Sequence, residues 1–159
     1  MRQKLVIGNW KMHGSLAANA ALLDGIKAAS ARATLAVCAP FPYLAQCQTL
    51  LSGSQVAWGA QDVSAEARGA FTGEVAASML AEFGVSYALV GHSERRTYHG
   101  ESDATVAAKA LRALEFGIVP VVCVGETLAE REAGQTEEVV GRQLQAVLEA
   151  LSIEQLGRI

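Results

Sequence analysis

The sequence predicts a parallel α/β fold, on the basis of three observations. Five short apolar runs recur along the chain, and each is almost continuously apolar, which is typical of parallel strands covered on both faces. The segments between them carry apolar residues at helical spacing. Strands and helices alternate strictly, which predicts one parallel sheet with right-handed crossovers.

The elements follow in order. The predicted strands are residues 5–8, 35–39, 56–60, 87–91 and 118–125. Ser15 is the predicted start of the first helix, and we expect Leu16, Leu23 and Ile26 to face inward.

The later helices have clearer signals. In the helix before the fifth strand, Ser102 or Asp103 is the predicted cap and Gly117 lies past the end. Its predicted inner face is Val106, Ala107, Ala110, Leu111 and Leu114. Thr127 and Glu130 form a capping-box pattern for a short helix. The last helix has the predicted inner face Val140, Leu144, Val147, Leu148 and Leu151.

Composition excludes several classes of protein. The chain has 159 residues, 51% apolar and 18% charged, so we expect a globular domain over 1–159. Its net charge of −3 and lack of a basic run argue against nucleic-acid binding. No long apolar stretch predicts a membrane span. Met1 leads directly into a strand, and the three cysteines form no CxxC or metal-ligand pattern, so we expect reduced thiols, no metal and a cytoplasmic location.

Two architectures fit five strand-helix units. One is a flavodoxin-like open sheet, which the chain length favours; the other is the first five units of a (β/α)₈ barrel, which takes typically ~250 residues. Both place function at the carboxyl ends of the strands. No glycine-rich nucleotide loop is present in the sequence.

Polar residues follow four of the predicted strands. Asn9 and Lys11 come after the first, and Lys11 is a cation suited to an anionic substrate and to developing negative charge. His92 ends the fourth strand at an apparent helix start, where partial positive charge disfavours imidazolium. A neutral imidazole there could donate a hydrogen bond to a carbonyl oxygen and exchange protons with an enediol. We read the other two histidines, His13 and His99, as surface residues.

The remaining polar groups have more ordinary interpretations. Glu94 is either a general base or a buried partner for Lys11 or Lys109, and the second role is favoured. Packing is the expected role of Cys123, which lies in an apolar strand. Glu126 is expected to serve in a cap or a charge network, while Gln61 and Asp62 follow the third strand without an assigned role. Ion pairing with Glu74, Glu94 or Glu101 is expected for Arg95 and Arg96.

Four motifs in order give a specific resemblance. They are GNWKM at 8–12, GAQD at 59–62 followed by GAFTGE at 69–74, GHSERR at 91–96, and VCVGETL at 122–128 followed by ER at 130–131. The chain resembles the triosephosphate isomerase family along its whole length. That resemblance replaces the open sheet with the first five units of a TIM (β/α)₈ barrel.

The resemblance also implies a function. The family interconverts dihydroxyacetone phosphate and D-glyceraldehyde 3-phosphate, in glycolysis and gluconeogenesis, without cofactor or metal. His92 would be the electrophile and proton shuttle, Lys11 would stabilise the substrate anion, and Asn9 would add a hydrogen bond. Ser93, Glu94 and Cys123 would shape the site. A neutral histidine at a helix start is a known feature of this family, so it is no independent prediction.

The family is also dimeric. The loop of Phe71, Thr72, Gly73 and Glu74 would insert into the neighbouring subunit, with Thr72 reaching the partner's Asn9 and Lys11.

One departure from the family pattern affects activity. The proton-abstracting glutamate of the family follows a sixth strand, and the lid and phosphate loops come later still. We therefore expect the 159-residue chain to be inactive alone, with open edges at its first and fifth strands. Two other functions stay open: a non-catalytic half-barrel assembly module, and a flavodoxin-like binder of phosphate or nucleotide.

Overall fold

A computed structural model describes residues 4–29 and 32–159, so Met1 and the start of the predicted domain lie outside the described residues. Five strands form one parallel sheet in the order β1-β2-β3-β4-β5. The strands are β1 Leu5–Asn9, β2 Thr34–Ala39, β3 Val56–Ala60, β4 Tyr87–Val90 and β5 Val119–Val122.

The strand order decides between the two architectures. A flavodoxin-like sheet reverses its winding direction after the first strand, which places β1 between two neighbours. Here each strand pairs with the next one along the chain, and β1 is at the edge. The sheet is therefore wound in one direction, as in the first five units of a (β/α)₈ barrel. The open-sheet alternative is wrong.

Helices connect and follow the strands. They are α1 Leu16–Ala28, α2 Leu44–Leu51, α3 Ala77–Glu82, α4 Ser93–His99, α5 Asp103–Glu115, α6 Leu128–Glu132, α7 Thr136–Ala150 and α8 Ile153–Leu156, with a 3₁₀ turn at Phe41–Tyr43. The predicted caps are confirmed: the side chains of Ser15, Ser102 and Thr127 each accept a hydrogen bond from a backbone N–H of the first turn. The reciprocal bond from the Thr127 backbone to Glu130 completes the predicted capping box.

The core lies mainly between the sheet and its helices. One cluster joins β3 and β4 to α3 and α5, and a second joins β2 and β3 to α1 and α2. A third cluster lies between α5 and α7. No helix in the described part of the chain is long and apolar enough to cross a membrane.

The predicted inner faces of two helices are wrong in part. Leu16 is 63% exposed, so the inner face of α1 is carried by Leu23 and Ile26. In α7 the buried stripe includes Val139 and Gln143, whereas Leu144 and Leu148 are exposed, because the helix packs on α5 along the neighbouring face.

The fifth strand is also shorter than predicted. It ends at Val122, because the Cys123 carbonyl accepts from the Arg96 side chain and the Gly125 backbone bonds to the Gln143 side chain, so neither continues the pairing with β4.

Candidate active site

A cleft of about 610 Å³ opens at the carboxyl ends of the strands. It is open to solvent and combines polar strand-end residues with an apolar rim. The polar residues lining it include Asn9, Lys11, Gln61, Asp62, His92 and Glu94. The structure thus brings residues that follow β1, β3 and β4 into one place.

Lys11 has an unusual backbone conformation. Its φ of 51° is the only positive value at a non-glycine residue in the described ranges. Two hydrogen bonds fix the turn: the Lys11 N–H donates to Asn9 Oδ1 at 2.9 Å, and Gln61 Nε2 donates to the Lys11 carbonyl at 2.9 Å. Gln61 Nε2 also contacts the Cys38 carbonyl at 2.9 Å, which ties the turn to β2. Strain of this kind is retained where the surrounding structure imposes it, often at functional sites.

His92 is the N-cap of α4. Its Nδ1 accepts a hydrogen bond from the Glu94 backbone N–H at 3.2 Å. Because Nδ1 is an acceptor, this hydrogen-bond pattern assigns the proton of a neutral imidazole to Nε2. The ring can then donate a hydrogen bond from Nε2 to a ligand. Ser93, the first residue of α4, is exposed and borders a smaller cavity that His92 also lines.

The Glu94 carboxylate bonds to Lys11 and lies beside the His92 ring. Its Oε1 accepts from Lys11 Nζ at 2.7 Å, and its Oε2 lies 3.5 Å from His92 Nδ1. The hydrogen bond from Lys11 lowers the pKa of Glu94, so the carboxylate stays ionised. The predicted role as a lysine partner is what the structure shows, but the predicted burial is wrong: the side chain is 44% exposed. The carboxylate reaches out to Lys11, which stands at the open mouth of the cleft.

Lys109, the other predicted partner of Glu94, does not contact it, because its position in α5 brings it to two other carboxylates. It is buried within α5 and contacts Asp62 at 2.8 Å and Glu101 at 2.5 Å. Arg95 contacts the same two carboxylates, at 2.9 and 2.5 Å. Two cations and two anions therefore form a compact cluster in the wall of the cleft, which Asp62 and Arg95 line, and Glu101 Oε2 is buried in it with no hydrogen-bond partner among the described residues.

The two acids of this cluster respond differently to their surroundings. Burial raises the pKa of Asp62, and the hydrogen bond from Lys109 only partly offsets it. Burial also raises the pKa of Glu101, but hydrogen bonds from Lys109 and Arg95 outweigh burial and leave a lowered pKa. Two sequence signals bear on this cluster: the predicted ion pairing of Arg95, which its contact with Glu101 confirms, and a lysine one helical turn from Val106 on the apolar face of α5.

Cys123 and Glu126 lie beyond the end of β5. Cys123 borders the smaller cavity of about 190 Å³, and burial raises the pKa of its thiol, which disfavours a nucleophilic thiolate. Glu126 accepts from Arg131 at 2.8 Å and from Thr136 at 3.3 Å, so it belongs to a polar network as predicted. Arg96, predicted to pair with Glu74, Glu94 or Glu101, pairs instead with Asp103 at 2.7 Å.

The loop after β3 is exposed at its tip. Phe71, Thr72, Gly73 and Glu74 are all exposed and do not line the cleft. The loop has its own hydrogen bonds: Ser64 N–H to the Val75 carbonyl at its base, and Glu74 N–H to the Phe71 carbonyl at its tip, at 2.9 and 3.0 Å. Within residues 4–29 and 32–159, no group of three or more His, Cys, Asp or Glu is placed to hold a metal ion.

Known proteins resemble this chain along its whole length. The sequence model of the family described as "Triosephosphate isomerase" matches residues 4–159. The chain belongs to the triosephosphate isomerase family. Triosephosphate isomerases of Cupriavidus pinatubonensis and Cupriavidus necator are 89% and 86% identical over the whole chain, and that of Ralstonia nicotianae is 78% identical over 99% of it. The chain spans about 65% of the length of the two Cupriavidus relatives and 64% of the Ralstonia one.

Proposed function

We propose that this chain carries the carbonyl-polarising half of an active site that interconverts dihydroxyacetone phosphate and D-glyceraldehyde 3-phosphate. One observation carries the proposal: Lys11 and His92 line the mouth of one cleft, where both lie beside the Glu94 carboxylate. Membership of the triosephosphate isomerase family supports the substrate and the reaction.

The proposed chemistry follows from the donors that the cleft presents. Removing a proton next to a carbonyl group builds negative charge on the carbonyl oxygen. The His92 Nε2–H and the Lys11 ammonium would donate to that oxygen, and fixed donors stabilise such charge without reorganisation. The imidazole would then move a proton between the two oxygens of the enediolate. Asn9 would add a hydrogen bond to the substrate from its amide nitrogen, because its Oδ1 already accepts from Lys11.

Glu94 is assigned to holding Lys11, and not to abstracting the substrate proton. Its carboxylate is already engaged by the ammonium at 2.7 Å and is kept ionised by it. In the family resemblance the base follows a sixth strand, and general-base catalysis contributes typically ~10²–10⁴-fold. We therefore propose that turnover needs a polypeptide with the full length of the relatives, and that the 159-residue chain alone lacks useful activity.

A coupled enzyme assay tests this assignment. The polypeptide extended to the length of the relatives should isomerise triose phosphate, and Lys11→Met in it should reduce kcat/KM by ~10²-fold or more. Lys27→Met is the matched control, since the one ion pair of Lys27 among the described residues is with Asp24, on the surface of α1. Turnover by the 159-residue chain within ten-fold of the extended polypeptide, or an unaffected Lys11→Met variant, would contradict the proposal.

We also propose that the intact protein is a homodimer formed through the loop of residues 71–74. The loop supports this role because its tip is exposed while its base is held by internal hydrogen bonds, so little order has to be gained on binding. Sedimentation of the extended polypeptide tests it: Phe71→Ser should weaken the dimer, whereas Phe116→Ser, on a side chain of similar exposure (43% against 45%), should not. Equal dissociation of both variants would count against the loop. A cytoplasmic location and cofactor-free chemistry stay predictions.

A further inference from the structure

The side chain of Arg96 lies where the pairing between β4 and β5 ends. The last backbone bond beyond the two strands runs from the Cys123 N–H to the Val90 carbonyl, at 2.9 Å. The next two carbonyls, of Gly91 and Cys123, both accept from the Arg96 guanidinium, at 2.8 Å from Nε and 3.2 Å from Nη2. The guanidinium thus takes the place of the next rung of the ladder.

A third acceptor fixes the guanidinium in place. Arg96 Nη1 donates to Asp103 Oδ1 at 2.7 Å, and the other Asp103 oxygen accepts from Arg142 at 3.1 Å. The Arg96 side chain is only 14% exposed, so its charge is largely removed from water. That charge is balanced by the Asp103 carboxylate. A planar fork of donors is required to reach three acceptors on three segments at once, and lysine has no such fork.

These contacts hold the peptide that comes directly before His92. Gly91 has φ of 70°, and a Cβ there would lie 2.6 Å from a methyl of Val106, so α5 presses on one side of this turn. The Arg96 side chain holds the Gly91 carbonyl on another side. The backbone N–H of Arg96 also donates to the His92 carbonyl at 3.1 Å. The turn that carries the imidazole is therefore bonded to Arg96 before and after His92.

We propose that Arg96 is a positioning residue for His92, which sets the direction of the imidazole Nε2–H. The inference deepens the proposed function and rests on it for its catalytic meaning. Lysine at position 96 would keep the charge and the pairing with Asp103 but lose simultaneous contact with the Gly91 and Cys123 carbonyls. The turn would gain freedom, the bond from the Glu94 N–H to Nδ1 would weaken, and the imidazole would populate both tautomers.

Nitrogen NMR of the histidine side chains tests this in the 159-residue chain. At a pH well above the titration range of free imidazole, ~6.5, the unaltered chain should show one ring protonated at Nε2 alone, that of His92. His13 and His99 are exposed and serve as internal references. Arg96→Lys should move the two nitrogen shifts of His92 toward each other. Arg112→Lys is the matched control, because Arg112 also donates to a backbone carbonyl and a carboxylate, away from the cleft.

Unchanged His92 nitrogen shifts in a folded Arg96→Lys variant would overturn the proposal, as would an equal change in Arg112→Lys. If Arg96→Lys does not fold, hydrogen exchange in the unaltered chain decides. The Nε–H of Arg96 should exchange with water at least ~10-fold more slowly than that of Arg131, whose side chain is 72% exposed. Equal exchange rates would overturn the proposal. Neither readout uses turnover, so the failure of this inference and that of the proposed function are distinguishable.

Discussion

Replacing Lys109 by methionine is the most severe test of how this fold tolerates buried charge. The unaltered cluster is neutral, with Lys109 and Arg95 opposite Asp62 and Glu101. Both Lys109 and Glu101 have side chains only 5% exposed. Methionine fits the aliphatic part of lysine but leaves a net charge of −1 in the same place. One oxygen of Glu101 is already buried with no hydrogen-bond donor near it among the described residues, so no spare donor is available there to replace the ammonium.

The magnitude follows from the distances. At an effective dielectric of ~20, a unit-charge contact at the 2.8 Å separating Lys109 from Asp62 is worth roughly 6 kcal/mol before desolvation. Desolvation of the ammonium cancels much of this in the unaltered chain. Removing one partner of a buried pair nevertheless lowers the free energy of unfolding by about 3–5 kcal/mol, because the other charge is left uncompensated. That is a large share of the ~5–15 kcal/mol typical of a domain.

The loss should also depend on pH, with a definite sign. Burial raises the pKa of both acids and Lys109 lowers it, so removing Lys109 should leave the pKa of each acid higher than in the unaltered chain. A raised folded-state pKa contributes stability at low pH that is lost as pH rises through that pKa. The deficit of Lys109→Met should therefore be largest near neutral pH and should narrow as pH falls toward ~4. In the unaltered chain Glu101 behaves oppositely: its lowered pKa contributes stability above 4.5, lost as pH falls through the folded-state value.

Urea unfolding followed by circular dichroism at several pH values measures this deficit. Lys27→Met is the control, since its exposed i,i+3 pair with Asp24 should contribute no more than ~1 kcal/mol. If Lys109→Met lost no more stability than Lys27→Met, the reasoning about uncompensated buried charge would be refuted. A deficit that widened toward acid pH would refute the assignment of the two carboxylates.

Three further predictions concern packing, thiol chemistry and the cleft. Gly59→Ala should destabilise the chain by about 1–3 kcal/mol, because the added Cβ would lie 2.6 Å from a carbonyl oxygen of β4. Gly141→Ala should instead stabilise α7, because a Cβ there would meet no atom of a neighbouring element within 4 Å. Equal unfolding midpoints of the two variants would contradict this prediction. Burial raises the pKa of Cys38 to about 12, so a thiol reagent near pH 8 should label Cys38 far more slowly than the half-buried Cys123. Faster labelling of Cys38 would contradict its burial in this fold. The carboxyl carbon chemical shift of Glu94 should titrate with a midpoint below 4.5, since the hydrogen bond from Lys11 lowers the pKa of Glu94. In Lys11→Met the midpoint should move back toward 4.5, and a midpoint that does not move would contradict the pairing.

Local features of this protein were readable from the sequence because their causes are local. Ser15, Ser102 and Thr127 cap their helices through hydrogen bonds that span only three residues, so a pattern of that length predicts them. The strands were readable from their continuous apolar runs, which reflect burial in β2, β3 and β4. The predicted cover on both faces is wrong for β1, where Leu5 and Val6 are exposed because β1 is an edge strand of the sheet. The same runs placed Lys11 and His92 at strand ends, and the likeness of the four motifs to the triosephosphate isomerase family implied their catalytic roles.

Tertiary structure alone decided which of these residues meet. Periodicity carries no information on winding direction, so only the observed strand order excluded the open sheet. Lys109 pairs with Asp62, 47 residues away in the chain, as well as with Glu101, and Lys11 pairs with Glu94, 83 residues away; no local pattern predicts the two distant partners. Side-chain partners across a sheet are set by how strands and helices pack, and a buried charge is stable only beside the opposite charge that packing brings to it.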